Sequence, residues 1–128
     1  MNTEELINFF EKGYNKKIND FYYEWNEISE FKYLTEAFID KYKDEVDWYL
    51  ISYCQNLSEK FIEKYQKKVK WFYISKYQKL SGDFINKFKD KITFTHISKQ
   101  NKINYLQYKV KNNIISNSEY LKKILKLK

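Results

Sequence analysis

The chain has no proline, and although 24 of its 128 residues are basic, none is arginine: all 24 are lysine. Lack of proline removes the commonest interruption of a helix. Lack of arginine removes the two-pronged guanidinium fork used for close reading of phosphates and base edges. Only Gly13 and Gly82 are glycines, too few for a glycine-rich phosphate loop. A single cysteine, Cys54, excludes a disulfide scaffold, and a single histidine, His96, excludes a metal site built on several histidines. No stretch approaches 18 uncharged apolar residues, so no membrane-spanning segment is expected.

What remains is enough for a core. Hydrophobic residues make up 43% and aromatics 20%, against 32% charged, which is not the composition of a disordered chain. Lys, Asn, Ile, Tyr and Phe account for 73 of the 128 residues, the bias of an AT-rich genome. The start, Met-Asn-Thr-Glu-Glu, lacks the basic and apolar regions of an export signal, so a cytoplasmic location is expected. The length suits one domain, 1–128.

The dominant feature is a repeat. Trp25, Trp48 and Trp71 are spaced by 23, and Phe94 takes the next place. Ile28-Ser29, Ile51-Ser52, Ile74-Ser75 and Ile97-Ser98 keep the same step, as do Leu34, Leu57, Leu80 and Ile103. Three units follow one another in register at 34–56, 57–79 and 80–102. Residues 2–33 form an earlier copy: Thr3-Glu4-Glu5-Leu6-Ile7 matches Thr35-Glu36-Ala37-Phe38-Ile39 at an offset of 32, which implies nine inserted residues between Phe10 and Trp25, with Gly13 as the expected break. Residues 103–128 are degenerate and read as a cap, with a half-repeat at 104–112 and a terminal helix at 118–126.

Each unit carries two helical apolar faces. Phe61, Ile62, Tyr65 and Val69 share one face; Trp71, Ile74 and Tyr77 share another. Thr35, Ser58 and Ser81 stand where a hydroxyl caps a helix start, and Asp47 does the same before Trp48. The expected architecture is therefore all-α: a short α-solenoid of helix-turn-helix repeats of period 23, with a first helix of about ten residues, a shorter second one, and a C-terminal capping helix. The repeating columns make the core: Trp25, Trp48, Trp71, Phe38, Phe61, Phe84, Ile51, Ile74 and Ile97.

Leu57-Ser58-Glu59-Lys60-Phe61-Ile62, followed by Trp71-Phe72-Tyr73-Ile74-Ser75, resembles a repeat family of phage and large DNA virus proteins with units of about this length. The likeness covers roughly residues 34 to 103, more loosely 3 to 33. It departs at Gly82 and Phe94, which replace Glu and Trp. The resemblance implies a viral or mobile-element origin and a scaffold rather than a chemistry.

Columns that vary between copies are where function is expected. They supply Tyr49, Tyr53, Phe72, Tyr73, Lys76, His96 and Lys99 as partner-binding candidates, aromatic residues being good interface anchors. Charge is uneven too. Residues 1–64 hold 8 Lys and 14 acids, a net of −6; residues 65–128 hold 16 Lys and 3 acids, a net of +13. Lys67, Lys68, Lys70 and Lys91 form a candidate basic patch. No catalytic residue, metal ligand set or cofactor motif stands out, so a non-enzymatic interaction protein is expected. Its partner would be a host protein or ribonucleoprotein, and the viral resemblance points to inhibition of a defence nuclease in the manner of an anti-CRISPR protein. The alternative is nucleic-acid binding through the Lys-rich C-terminal half; self-assembly through an incompletely capped end is a third reading.

Overall fold

Short polar side chains start most of the helices. Thr35, Ser58 and Ser81 each accept the backbone N–H three residues on, from Phe38, Phe61 and Phe84, at 3.1 to 3.2 Å. Asn2 does the same for the first helix and Asp47 for the helix that opens on Trp48. The computed structural model describes residues 1–127; Lys128, the last residue of the expected cap, lies outside them. Among the described residues there are nine α-helices, one short 3-10 turn and no strand, so the fold is all-α.

The chain divides into two compact units, Met1–Val69 and Lys70–Lys128. The boundary falls between the two helices of the 57–79 repeat. Ring packing explains that position. A Trp on the second helix of one repeat lies against the first helix of the next repeat, so the compact block is offset from the sequence repeat by half a unit.

The first unit contains α1 (Thr3–Tyr14), the 3-10 turn Ile18–Asp20, α2 (Glu24–Glu30), α3 (Glu36–Lys41), α4 (Trp48–Cys54) and α5 (Glu59–Lys64). Trp25 packs on Phe38 and Tyr42, with ring centroids 6.3 and 5.2 Å away; Trp48 packs on Phe61 and Tyr65 at 6.2 and 5.1 Å. Each buried aromatic of this kind contributes roughly 1.5–3 kcal/mol of transfer free energy. Neighbouring repeats are also tied by hydrogen bonds. Gln55, buried, donates to the carbonyls of Ser29 and Phe31 at 2.9 and 3.0 Å. Glu36 accepts both the N–H and the hydroxyl of Ser58, 22 residues later.

The inserted residues lengthen α1 and add the 3-10 turn. The break is at Asn15, not Gly13: Asn15 takes the left-handed conformation at φ 53, ψ 44 that ends the helix, whereas Gly13 lies inside α1. The first helices of the repeats are also shorter than expected, six residues rather than about ten. At Tyr42, Tyr65 and Phe88 the backbone leaves the helical region, and each carbonyl then accepts two N–H groups, three and four residues on. This tight turn returns Val46, Val69 and Ile92 to the core.

The second unit contains α6 (Trp71–Tyr77), α7 (Gly82–Lys87), α8 (Lys99–Lys111) and α9 (Asn117–Lys126). Trp71 repeats the ring packing on Phe84 and Phe88, at 6.2 and 5.5 Å, but is only half-buried. The fourth repeat then departs from the expected pattern. It has no second helix: residues 93–96 form a turn, Phe94 is 40% exposed, and Ser98 becomes the cap of α8 by accepting the Asn101 N–H. Thr93 and Thr95 are β-branched and disfavour a helix there, while Ser98 offers a strong start to a longer one. Asn101 now does what Gln55 does in the first unit, donating to the carbonyls of Ser75 and Gln78 and accepting the Leu80 N–H.

The cap also differs from expectation. α8, which begins inside the expected 80–102 repeat, packs on α7 and buries Asn101 and Leu106. The terminal helix α9 buries no residue. Gly82 is explained by this packing: a Cβ there would stand 2.4 Å from the Tyr108 Cβ and 2.6 Å from the Asn104 carbonyl oxygen. Of the expected core, every member is buried except Trp71.

Candidate interaction surface

Trp71 sets the rotation of α6 by facing Phe84 and Phe88, and its neighbours in sequence are thereby turned outward. Phe72 is exposed and Tyr73 half-buried; Lys76 and Tyr77 are exposed one turn further on. Phe72 meets Tyr73 edge-on at 5.3 Å, Tyr73 stacks on Tyr77 at 6.1 Å, and the Lys76 amine sits 5.8 Å above Phe72 and 5.4 Å above Tyr77. The His96 ring reaches Phe72 from the following turn, with centroids 4.8 Å apart, and its Nδ1 lies 3.0 Å from the Thr95 hydroxyl. Phe72, Tyr73, Lys76 and His96, which are up to 24 positions apart in the chain, are thus one contiguous stripe.

The other candidates are distributed. Tyr49 and Tyr53 lie one turn apart on α4, in the first unit, both more than half exposed. Lys99 is the exposed first residue of α8. The basic candidates are split as well: Lys67 and Lys68 belong to the first unit, Lys70 and Lys91 to the second. Lys68 is partly offset by Asp44 at 3.5 Å. By unit, the first holds 10 Lys and 14 acids, a net of −4, and the second 14 Lys and 3 acids, a net of +11. The positive charge therefore resides in the same unit as the α6 stripe.

Cys54 is exposed, and its thiol is pushed above its ordinary value by desolvation and by Glu30, which disfavours the reactive thiolate. Among the described residues no three His, Cys, Asp or Glu side chains are grouped to hold a metal ion, and no helix is long and apolar enough to cross a membrane.

No protein-family model, curated protein or solved structure matches the chain. What its surface can do follows from its own chemistry. Exposed rings interleaved with lysine bury apolar area against a partner while offering positive charge at the rim.

Two features go beyond what the apolar pattern of the sequence indicated. Tyr22 and Tyr23, in the insertion, are 77% and 82% exposed and contact each other edge-on at 4.8 Å. The residues Gln55, Gln78 and Asn101 keep the 23-residue step and are all buried; that step, applied to polar positions as well as apolar ones, was the signal that could have found them.

Proposed function

We propose that this chain is a non-enzymatic interaction protein that docks a partner macromolecule through the aromatic and lysine stripe of α6. The observation that carries this reading is the joining of Phe72, Tyr73 and Lys76 of α6 with His96 of the following turn into one contiguous surface. Aromatic side chains are common anchors of interface hot spots. The resemblance of the 57–75 motif to repeats of phage and large DNA virus proteins points to a host macromolecule as the partner, and a defence nuclease fits that setting. The experiment is affinity capture from host lysate with and without nuclease, comparing the native chain with Phe72→Ala/Lys76→Glu. Capture of a protein that survives nuclease and is lost in the variant supports the reading. Capture unchanged in the variant removes α6 as the contact.

A second reading is favoured by the +11 charge of the second unit: single-stranded nucleic acid held by stacking on exposed rings and by lysine-phosphate contacts. Its signature is steep loss of affinity with salt, roughly in proportion to the number of phosphates neutralised.

A further inference from the structure

The fourth repeat and the helices that follow it form a groove. With no second helix formed, Phe94 lies in a turn and packs at a tilt against Tyr105 of α8, with ring centroids 5.7 Å apart. These two rings wall two adjoining hollows. One, of about 300 Å³, lies between the turn, α8 and α9; Ile97 and Leu106 line it, and Lys102, Lys123 and Lys126 stand around it. The other, of about 410 Å³, holds Lys89 and Lys109 with a single acid, Asp90. Five lysines therefore surround one aromatic pair, and none of the five is in the ion pairs among the described residues.

Lys109 shows the electrostatic consequence. Its amine lies 4.5 Å from the Tyr105 ring centroid, and burial together with the charge of Lys123 outweighs the opposing charge of Glu119 and pulls it below the ordinary lysine value. Like charges gathered over an apolar slot cost free energy twice, in repulsion and in exposed apolar surface. A ligand with both carboxylates and an apolar side chain relieves both costs. The slot offers little to read a nucleobase edge: its side chains are apolar or lysine apart from Tyr105, whose hydroxyl already donates to Asn86 at 3.2 Å.

We propose that this groove binds an acidic amphipathic peptide segment of a partner protein, with an apolar side chain seated beside Phe94 and flanking carboxylates on Lys102, Lys123 and Lys126. The groove uses different side chains from the α6 stripe, so the two readings stand or fall separately.

The test is fluorescence anisotropy on the full chain with three probes: a labelled helical peptide with Leu and Glu at amphipathic spacing, the same composition scrambled, and oligothymidylate. The amphipathic peptide is expected to bind saturably and more tightly than the scrambled one. Lys123→Glu/Lys126→Glu is expected to weaken it by about tenfold or more, the size of effect seen when interfacial charge pairs are reversed. Phe94→Asp should weaken it too, while Phe72→Ala leaves it unchanged. Circular dichroism and melting of each variant confirm that the fold persists. Equal binding of the scrambled peptide, tighter binding of oligothymidylate, no saturable binding at all, or indifference to charge reversal would each overturn the proposal.

Discussion

The Ser29 hydroxyl accepts the backbone N–H of Asp47 at 2.9 Å while donating its own proton to the Trp25 carbonyl at 2.6 Å. The second unit repeats this arrangement, with Ser75 accepting from Thr93 at 2.9 Å and donating to Trp71 at 2.7 Å. One small side chain thus closes its own helix and receives the first extended residue before the next Trp position. Both serines are fully buried, and the N–H groups they accept belong to the half-buried Asp47 and Thr93.

Ser29→Ala and Ser75→Ala are accordingly expected to destabilise the chain by roughly 1–3 kcal/mol each, the cost of removing a buried hydroxyl from two hydrogen bonds and leaving a part-buried backbone donor without its partner. Urea unfolding measures it. An unchanged midpoint in both would show that the hydroxyls are dispensable.

The tryptophans should not be equivalent. Trp48 is 9% exposed and its indole N–H donates to the Lys43 carbonyl at 2.9 Å. Trp48→Ala is expected to cost ~3–5 kcal/mol. Trp71→Ala should cost less because the ring is half-buried. Phe94→Ala, at a 40% exposed ring, should cost least. Thermal melts of the three variants give the order, and equal losses would contradict it.

The two glycines should respond in opposite directions. Gly13 is helical, and a methyl group added at its Cα meets open space, so Gly13→Ala should stabilise by roughly 0.5–1 kcal/mol. Gly82→Ala drives a methyl against the backbone of α8 and should destabilise by about 1–3 kcal/mol. Calorimetry on the pair decides the matter in a single comparison.

Stability should fall at both ends of the pH range. Hydrogen bonds from Lys16 and the Tyr22 N–H lower Glu24 from 4.5 to about 2, and Lys64 and Tyr65 lower Asp40. A carboxyl depressed in the fold stabilises it above the unfolded value and loses that contribution as pH falls through the folded one. Burial, reinforced by hydrogen bonds to Glu27 and Asp40, raises Tyr14 and Tyr65 to about 12. Those phenols stabilise the fold fully below 10, and the contribution is lost between 10 and about 12. Melting temperature against pH should show a plateau with two falling limbs. Glu24→Gln should flatten the acid limb; an acid limb unchanged in that variant would argue against the assignment.

Local physics was legible in the sequence. The 23-residue step marked the buried columns, and short-range capping placed Thr35, Ser58, Ser81 and Asp47 at helix starts, because both depend on neighbours within a few residues. The exposure of Tyr49, Tyr53, Phe72 and Lys76 followed from the same logic, since a column that varies is not constrained by packing. Tertiary structure decided the rest. Helix length was set by the turn that returns Val46, Val69 and Ile92 to the core, not by propensity. The role of Gln55 and Asn101 depends on carbonyls more than 20 residues away. The fourth repeat carries the same Ile-Ser signature as the others, yet Ser98 caps a new helix where Ser75 sits inside one. The packing of α8 on α7 accompanies that outcome, and it leaves Phe94 beside Tyr105 at the mouth of a lysine-lined groove. Hydrophobic periodicity specifies which residues are buried; which exposed residues become neighbours depends on contacts between elements distant in the chain.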